Sequence, residues 1–473
     1  MPKQRVLFTA SEVFPFAKSG GLADVAYSLP RALSSIYDVH VMLPLYQWID
    51  REQFGIKALG EPFTVVMGGV KYLVEIFGCT YRGLEYRFVY TSLLCDRAFL
   101  YGTAESAYDD NALRFALFNR AIVSYVRQER YDIIHLNDWQ SALIALWIYE
   151  DKTIETKTLY TIHNLAYQGI FDASVLQKIG IDDRYFTMDG LEFYGEVNFM
   201  KAGIAYADCI TTVSPTYAKE ILTPAFGCGL EGFLRYHHHK LVGIVNGIDT
   251  EHFSPLTDKA LIAPYQDTTG KLTNKEAYLK EIGLEGKEKA LFIFIARFTW
   301  QKGMDILIDA LPKLASSECN IAILGEGEMK YHEPLKRLVA GYKNMHLTFG
   351  YDESLSHRMY AAADFLFMPS LFEPCGLNQM IAMQYGTIPL VHHTGGLADT
   401  VKDVNFFDET SEDGYGIVFS EPSRDAFIRA FVRALALYQD KTTYNEVIQH
   451  NMQCDFSWKE SANAYHKLYQ TMI

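Results

Sequence analysis

Short runs of β-branched and aromatic residues alternate with longer stretches of helical periodicity along most of the chain. The first series of runs predicts strands at Arg5–Thr9, Val39–Leu43, Tyr72–Phe77, Arg87–Tyr90, Ile133–Leu136, Leu159–Ile162, Cys209–Val213 and Val242–Val245. A second series predicts Leu291–Ala296, Ile321–Leu324, His346–Phe349, Phe365–Met368 and Pro389–Val391. Runs of this kind, bounded by turn residues and separated by helical stretches, are the mark of parallel α/β units. They are too many for one compact sheet. Periodicity is weakest from Ser254 to Lys289, where Lys, Asp, Thr and Gly accumulate, and the domain boundary is placed there. The expectation is an α/β protein with two doubly wound domains, 1–253 and 254–455. A (β/α)8 barrel with insertions is the competing architecture. The last segment, 456–473, opens on Ser457-Trp458-Lys459-Glu460, which has the spacing of a capping box. Trp458, Ala462, Tyr465 and Leu468 then form an apolar helical stripe. This helix either packs on the domain it follows or crosses back to brace the first.

Composition narrows the function. Among 473 residues, 49% are apolar and 21% charged, which excludes wholesale disorder. Lys and Arg total 43 against 57 Asp and Glu, so a net charge of −14 argues against nucleic-acid or anionic-membrane partners. No apolar run approaches the ~18 residues of a membrane span, and Val6-Leu7-Phe8 is too short for a signal-peptide core. Seven scattered cysteines without a C-x-x-C pair read as reduced thiols of a cytoplasmic enzyme, with neither disulfide frame nor zinc site.

Unusual polar residues gather where predicted strands end, the edge at which open α/β sheets bind ligands. After the first strand come Lys18, Gly20, Gly21 and Asp24: a diglycine turn opening a helix, with free amides and a cation for an anion. Asp138, His163-Asn164 and Asn246-Gly247 follow later strands. In the second half, Arg297 and Lys302 flank one strand terminus and can clamp a diphosphate. Glu373, after Phe372 and before Pro374, is expected at a helix start where the dipole favours its ionised form. Thr394-Gly395-Gly396 repeats the diglycine turn. Leu324-Gly325-Glu326-Gly327 begins a dinucleotide fingerprint, but Lys330 stands where its third glycine belongs, which weakens a nicotinamide reading. His237-His238-His239 are adjacent residues that share no helix face, and no carboxylate or cysteine spacing completes a metal site. No D-x-D triplet occurs to cradle a metal-bound nucleotide sugar. The paired cations therefore predict metal-independent stabilisation of a leaving diphosphate.

Together, Lys18–Asp24, Asn137–Trp139, His163–Gly169, Val213–Pro215, Asn246–Asp249, Arg297–Gly303, Phe372–Leu377 and Thr394–Thr400 resemble the bacterial glycogen synthases and plant starch synthases, nearly end to end. The resemblance implies a GT-B fold, two Rossmann-like domains facing across a cleft, with the final helix returning to the N-terminal domain. It implies an acceptor side in 1–253 and a donor side in 254–455. The implied reaction transfers α-glucose from ADP-glucose, a co-substrate rather than a cofactor, to the non-reducing 4-hydroxyl of an α-1,4-glucan such as glycogen, with retention. By motif match, Lys18, Gly20 and Gly21 would meet the phosphates and acceptor side, with Asp24 in the same motif. Arg297 and Lys302 would neutralise the diphosphate, and Glu373 would hold glucose hydroxyls. Gly376 and Leu377 would support the donor, while His163, Asn164 and Asp138 would line the glucose pocket. Asn246, Thr394 and Gly395 complete the expected substrate-binding set. Leu371, Asn378, His392-His393 and Gln140 depart from the family pattern. A glucan phosphorylase and a glucan-binding protein without turnover are the competing readings.

Overall fold

The computed structural model describes residues 3–103 and 106–473. They form two compact units. The first takes residues up to Val213, then Ala218–Asn246 and Trp458–Ile473; the second takes Ser214–Tyr217 and Gly247–Ser457. The main passage between them thus falls at Gly247, seven residues before the expected boundary at 254.

The first unit is built on β1 (Arg5–Thr9), β2 (Asp38–Pro44), β3 (Lys57–Ala58), β4 (Phe63–Met67), β5 (Val70–Tyr81), β6 (Leu84–Tyr90), β7 (Ile133–Asn137) and β8 (Lys157–Ile162). β9 (Ile170–Asp172), β10 (Glu192–Phe193) and β11 (Glu196–Asn198) make a small separate sheet, and β12 (Cys209–Thr212) and β13 (Leu241–Gly243) rejoin the main one. The main sheet runs β13-β12-β8-β7-β1-β2-β6-β5-β3, with β4 also on β5. From β13 to β6 it is parallel, and β1 lies between β2 and β7. The strand order reverses between β1 and β7, so the loops after these strands open at a topological switch point. β3 to β6 pair antiparallel and extend one edge. β5 alternates between more and less buried positions over twelve residues, as a strand with one wetter face does.

The second unit contains β14 (Ala290–Ile295), β15 (Cys319–Gly325), β16 (Met345–Phe349), β17 (Phe365–Met368), β18 (Ile388–His392), β19 (Lys402–Asp403) and β20 (Tyr415–Phe419). Its sheet is wholly parallel, in the order β16-β15-β14-β17-β18-β20-β19, and its switch point lies between β14 and β17. Phe292 stacks on both Phe365 and Phe367 at 4.9 Å, joining these strands through side chains as well as backbone. Residues 254–289, where periodicity is weakest, lie within the second unit. They hold the helix Thr268–Glu281, capped by the Asp267 carboxylate. Its inward face carries lysines: buried Lys271 donates to the carbonyls of Tyr360, Ala361 and Tyr385 and to Thr387 Oγ1, and Lys275 meets Asp364 at 2.6 Å. Among the described residues no helix is long and apolar enough to cross a membrane.

The terminal helix, Lys459–Met472, belongs to the first unit and packs on the helix Gly21–Leu33. Its N-cap position is Trp458, one residue past the expected Ser457. Trp458, Ala462 and Tyr465 are buried as the stripe predicts, but the next buried ring is Tyr469, with Leu468 half-buried. Tyr469 matters because its hydroxyl meets Nδ1 of His135, a fully buried residue of β7, at 2.7 Å. His135 Nε2 is taken by Thr161 Oγ1 at 2.6 Å. Burial, with a smaller contribution from His163, holds His135 well below the ordinary imidazole range, so it is neutral and needs both partners. Tyr469→Phe strands one buried ring nitrogen, a loss of ~1–3 kcal/mol. Urea unfolding should show that loss, while His135→Phe combined with Tyr469→Phe should recover part of it.

Candidate active site

The loops at the second switch point meet through an ion pair. Lys302 ends a short turn after β14, and Gly303 follows it in the left-handed region at φ +70°. A Cβ there would lie 2.0 Å from the Pro369 carbonyl, so only glycine lets this loop approach the loop after β17 so closely. Lys302 Nζ consequently reaches both Glu373 oxygens, at 2.9 and 2.6 Å. Ser370 Oγ donates to Glu373 Oε2 at 3.0 Å, and the Ser370 carbonyl lies 2.7 Å from His392 Nδ1. Glu373 is buried, whereas Lys302 keeps about a fifth of its side chain exposed. This corrects the expectation for Glu373. It lies ahead of the helix Asn378–Gln384 rather than at its start, and a lysine and a serine, not a helix dipole, hold its charge.

Arg297 stands apart from this pair. It is exposed, and its guanidinium has no hydrogen bond or ion pair among the described residues. Gly376 precedes the Asn378–Gln384 helix and Leu377 is its N-cap residue. Buried Thr394 occupies the N-cap position of the helix Gly395–Thr400 without a side-chain capping bond. The second diglycine is not an open anion cradle: a Cβ on Gly395 or Gly396 would lie about 2 Å from the Glu373 or Cys375 carbonyl oxygen. Gly396 N–H already donates to Glu373 at 3.0 Å. These glycines let the 394–396 turn press against the Glu373 loop. Two departures from the family pattern are likewise structural. His392 braces Ser370, and Asn378 Nδ2 donates to the Ile295 carbonyl at the end of β14.

In the first unit, Lys18 pairs with Asp24 at 2.7 Å. The amides expected to greet an external anion are occupied. Buried Glu12 accepts from Ser19 N–H at 2.5 Å, Gly20 N–H at 3.1 Å and Ser19 Oγ at 3.0 Å. Gly21 opens the helix Gly21–Leu33, and the space beside Gly20 is clear. Across the switch point, Asp138 follows β7 with φ 54° and ψ −177°, a backbone conformation that a side-chain-bearing residue rarely holds. Its Oδ1 accepts from His163 N–H at 2.8 Å. Burial raises the Asp138 carboxyl to about 7, against the hydrogen bonds from the His163 and Asn164 amides. Burial also lowers His163 to about 3, so its ring is neutral. Asn137 Nδ2 donates to the Thr9 carbonyl, which turns Oδ1 toward His163 Nε2 at 2.8 Å and fixes the Nε2–H tautomer. Asn164 Oδ1 accepts from Ala166 N–H in a local turn. Asn246 is buried, and its Oδ1 has no hydrogen-bond partner among the described residues.

Sequence reasoning assigned roles to neither Glu12, Asn137 nor Ser370. Glu12 and Ser370 lie in the same post-strand loops as Lys18 and Glu373, and Asn137 ends β7 beside Asp138. A search for polar residues at strand ends that also recur inside those loops would have reached them.

Two doubly wound parallel sheets with polar loops at both switch points are the GT-B glycosyltransferase architecture. Residues 5–236 match the family described as starch synthase catalytic domain, and residues 275–449 match glycosyl transferases group 1. The chain is 40% identical to a glycogen synthase of Geotalea daltonii, covering 99% of each sequence. It is 42% identical to that of Marinobacter nauticus, covering 99% of this chain and 98% of the relative. The catalytic domain of starch synthase IV from Arabidopsis thaliana, bound to ADP and acarbose, superposes with a TM-score of 0.91 at 33% identity, over 100% of this chain and 99% of that one. A sucrose-phosphate synthase from Thermosynechococcus elongatus, at 17% identity and a TM-score of 0.63 over 99% of both chains, shares the fold. The chain belongs to the glycogen and starch synthase family.

The Asp138 carboxyl gives a pH prediction. Its folded value of about 7 lies above the ordinary 3.8, so the folded state holds its proton longer than the unfolded state does. Stability tied to this group therefore falls as pH rises from about 4 to 7. Asp138→Asn should melt higher than wild type above pH 7, and the gap should close as pH falls toward 4. Comparing the two proteins at each pH cancels the opposite contribution of His163, which is lost as pH falls from 6.5 toward 3. A gap that is constant with pH would contradict the assignment.

Proposed function

We propose that this protein elongates glycogen, transferring α-glucose from ADP-glucose to the non-reducing 4-hydroxyl end of an α-1,4-glucan with retention. The observation that carries the reading is the Lys302–Glu373 pair at the second switch point, reached by Ser370 and followed by the tight 394–396 turn. The ADP bound to the starch synthase relative supports the adenine nucleotide as donor. Cleavage of the glucosyl–phosphate bond places negative charge on departing ADP and positive charge on the sugar. Lys302 and Arg297 meet the developing phosphate charge. Glu373 receives glucose hydroxyls, with the Gly376 and Leu377 amides beside it. Lys302 is paired with Glu373, so donor binding makes the lysine share its charge between carboxylate and diphosphate. In the first unit His163, Asn164 and Asp138 line the sugar side, Lys18, Gly20, Gly21 and Asp24 the acceptor side, and Asn246 offers a bare carbonyl oxygen. Attack comes from the face the phosphate leaves, with that phosphate accepting the acceptor hydroxyl's proton. The clamp uses side-chain cations in place of a metal. None of the seven cysteines forms a disulfide, which supports a reducing compartment, the cytoplasm.

ADP release, measured with ADP-glucose or UDP-glucose and with or without glycogen, tests the reaction. Release should require glycogen and favour ADP-glucose. Nucleotide release indifferent to glucan, or phosphate-dependent glucan breakdown in its place, would overturn it. Turnover should also survive exhaustive chelation; loss restored only by divalent ions would defeat the cationic clamp.

Glu373→Gln separates the two jobs of the pair. It should lower kcat by about 100-fold or more through lost sugar positioning. It should also tighten ADP binding, because Lys302 no longer shares its charge. Lys302→Ala should lower kcat by ~100–1,000-fold and the melting temperature as well, since it leaves a buried carboxylate uncompensated. Near-normal kcat in a folded Glu373→Gln protein would remove Glu373 from the site.

A further inference from the structure

Within the second unit, three metal-ligating side chains converge outside the Lys302–Glu373 network. Glu353 and His357 are four residues apart on the helix Glu353–Ala362, so they share a face. His252 comes from the loop after Asp249, whose carboxylate accepts from the Glu251 and His252 amides and fixes the turn. One donor atom from each of His252, Glu353 and His357 lies within 4.8 Å of the others, and His252 Nε2 is 3.3 Å from Glu353 Oε1. The two imidazoles meet edge to face, 5.1 Å between centroids.

His357 is the anchor. It is only 4% exposed, and its Nδ1 donates to Asp258 Oδ2 at 2.7 Å. Tyr385 OH donates to the same oxygen at 2.5 Å, so this carboxylate is committed as an acceptor. With Nδ1–H given to Asp258, a lone pair for a metal can come only from Nε2. That atom is buried and has no hydrogen-bond partner among the described residues. A carboxylate behind one ring nitrogen, with the other nitrogen bare, is the arrangement that orients metal-bound histidines.

We propose that His252, Glu353 and His357 bind one divalent transition ion, with zinc as the best-suited ion. Two imidazole nitrogens and one carboxylate suit zinc rather than magnesium or calcium, which prefer oxygen donors. Tetrahedral zinc with bonds of ~2.0–2.1 Å needs its donors roughly 3.4 Å apart. The ion would draw exposed His252 and half-buried Glu353 onto the fixed His357, and water takes the fourth position. The bound ion ties the 249–258 loop to the 353–362 helix, just beyond the point where the chain enters this unit at Gly247.

The full-length chain, stripped with a chelator and dialysed against micromolar Zn2+, is analysed for bound zinc and melted with and without Zn2+. One ion per chain and a zinc-dependent rise in melting temperature are expected. His252→Ala leaves the Asp258–His357–Tyr385 network in place. It should weaken binding beyond the ~10–100-fold typical of losing an outer-shell contact and abolish the thermal shift. Glu353→Gln should also weaken binding. The double change His238→Ala/His239→Ala, in the other histidine cluster, should leave the site intact. Wild-type protein that holds no zinc overturns the proposal, as does zinc that survives His252→Ala or is lost with the His238/His239 change.

Discussion

The loops at the second switch point depend on one buried ion pair. Taking a carboxylate and an ammonium out of water is unfavourable unless their mutual attraction and further hydrogen bonds offset it, and removing one partner costs about 3–5 kcal/mol. Glu373 meets those terms through two contacts from Lys302 and one from Ser370. The partners come from different loops, so the pair forms only because β14 and β17 are neighbours. β18, next in order, contributes His392 to hold the Ser370 backbone. Strand order, glycine contacts and the polar network all converge on one charged contact.

The first unit applies the same rule with different groups. Glu12 fills its own ring of amide donors, and Lys18 has its charge matched by Asp24. Asp138 is the exception: desolvated, with a strained backbone and a carboxyl raised to about 7. Strain and an unfavourably placed carboxyl persist only where surrounding structure enforces them, and functional sites are where they concentrate. Here the enforcement comes from His163, whose amide Asp138 accepts and whose ring Asn137 orients.

The fold was legible wherever burial made a strand uniformly apolar. β1 and β17 have the bounds the hydrophobic pattern predicts, because parallel strands covered on both faces leave no polar positions to blur them. β20 was not legible: Gly416 interrupts it, and a Cβ there would meet the Pro389 carbonyl at 2.3 Å. The domain boundary was expected within 254–289 because the helix there buries Lys271, Asn274 and Lys275 beside Tyr278 and Leu279, and periodicity of apolar residues cannot register a polar inner face. Site residues were legible as types at strand ends, but not as partners. Nothing in the spacing of Lys302 and Glu373 says that they meet, since the contact spans 71 positions and is decided by sheet order. Glu353 and His357 were not singled out in the sequence, and His252 joins them only through the fold.

The terminal helix also sets an order of assembly during synthesis. The second unit has all its residues once Ser457 has emerged, but the first does not receive its last helix until residues 458–473 are made. At roughly 5–20 residues per second, the sheet begun by Arg5 waits on the order of ten seconds or more after Asn246 is made for the tyrosine that satisfies His135. The unit translated first is therefore completed last. A ribosome that stops within 458–473 releases a whole second unit joined to an unfinished first one.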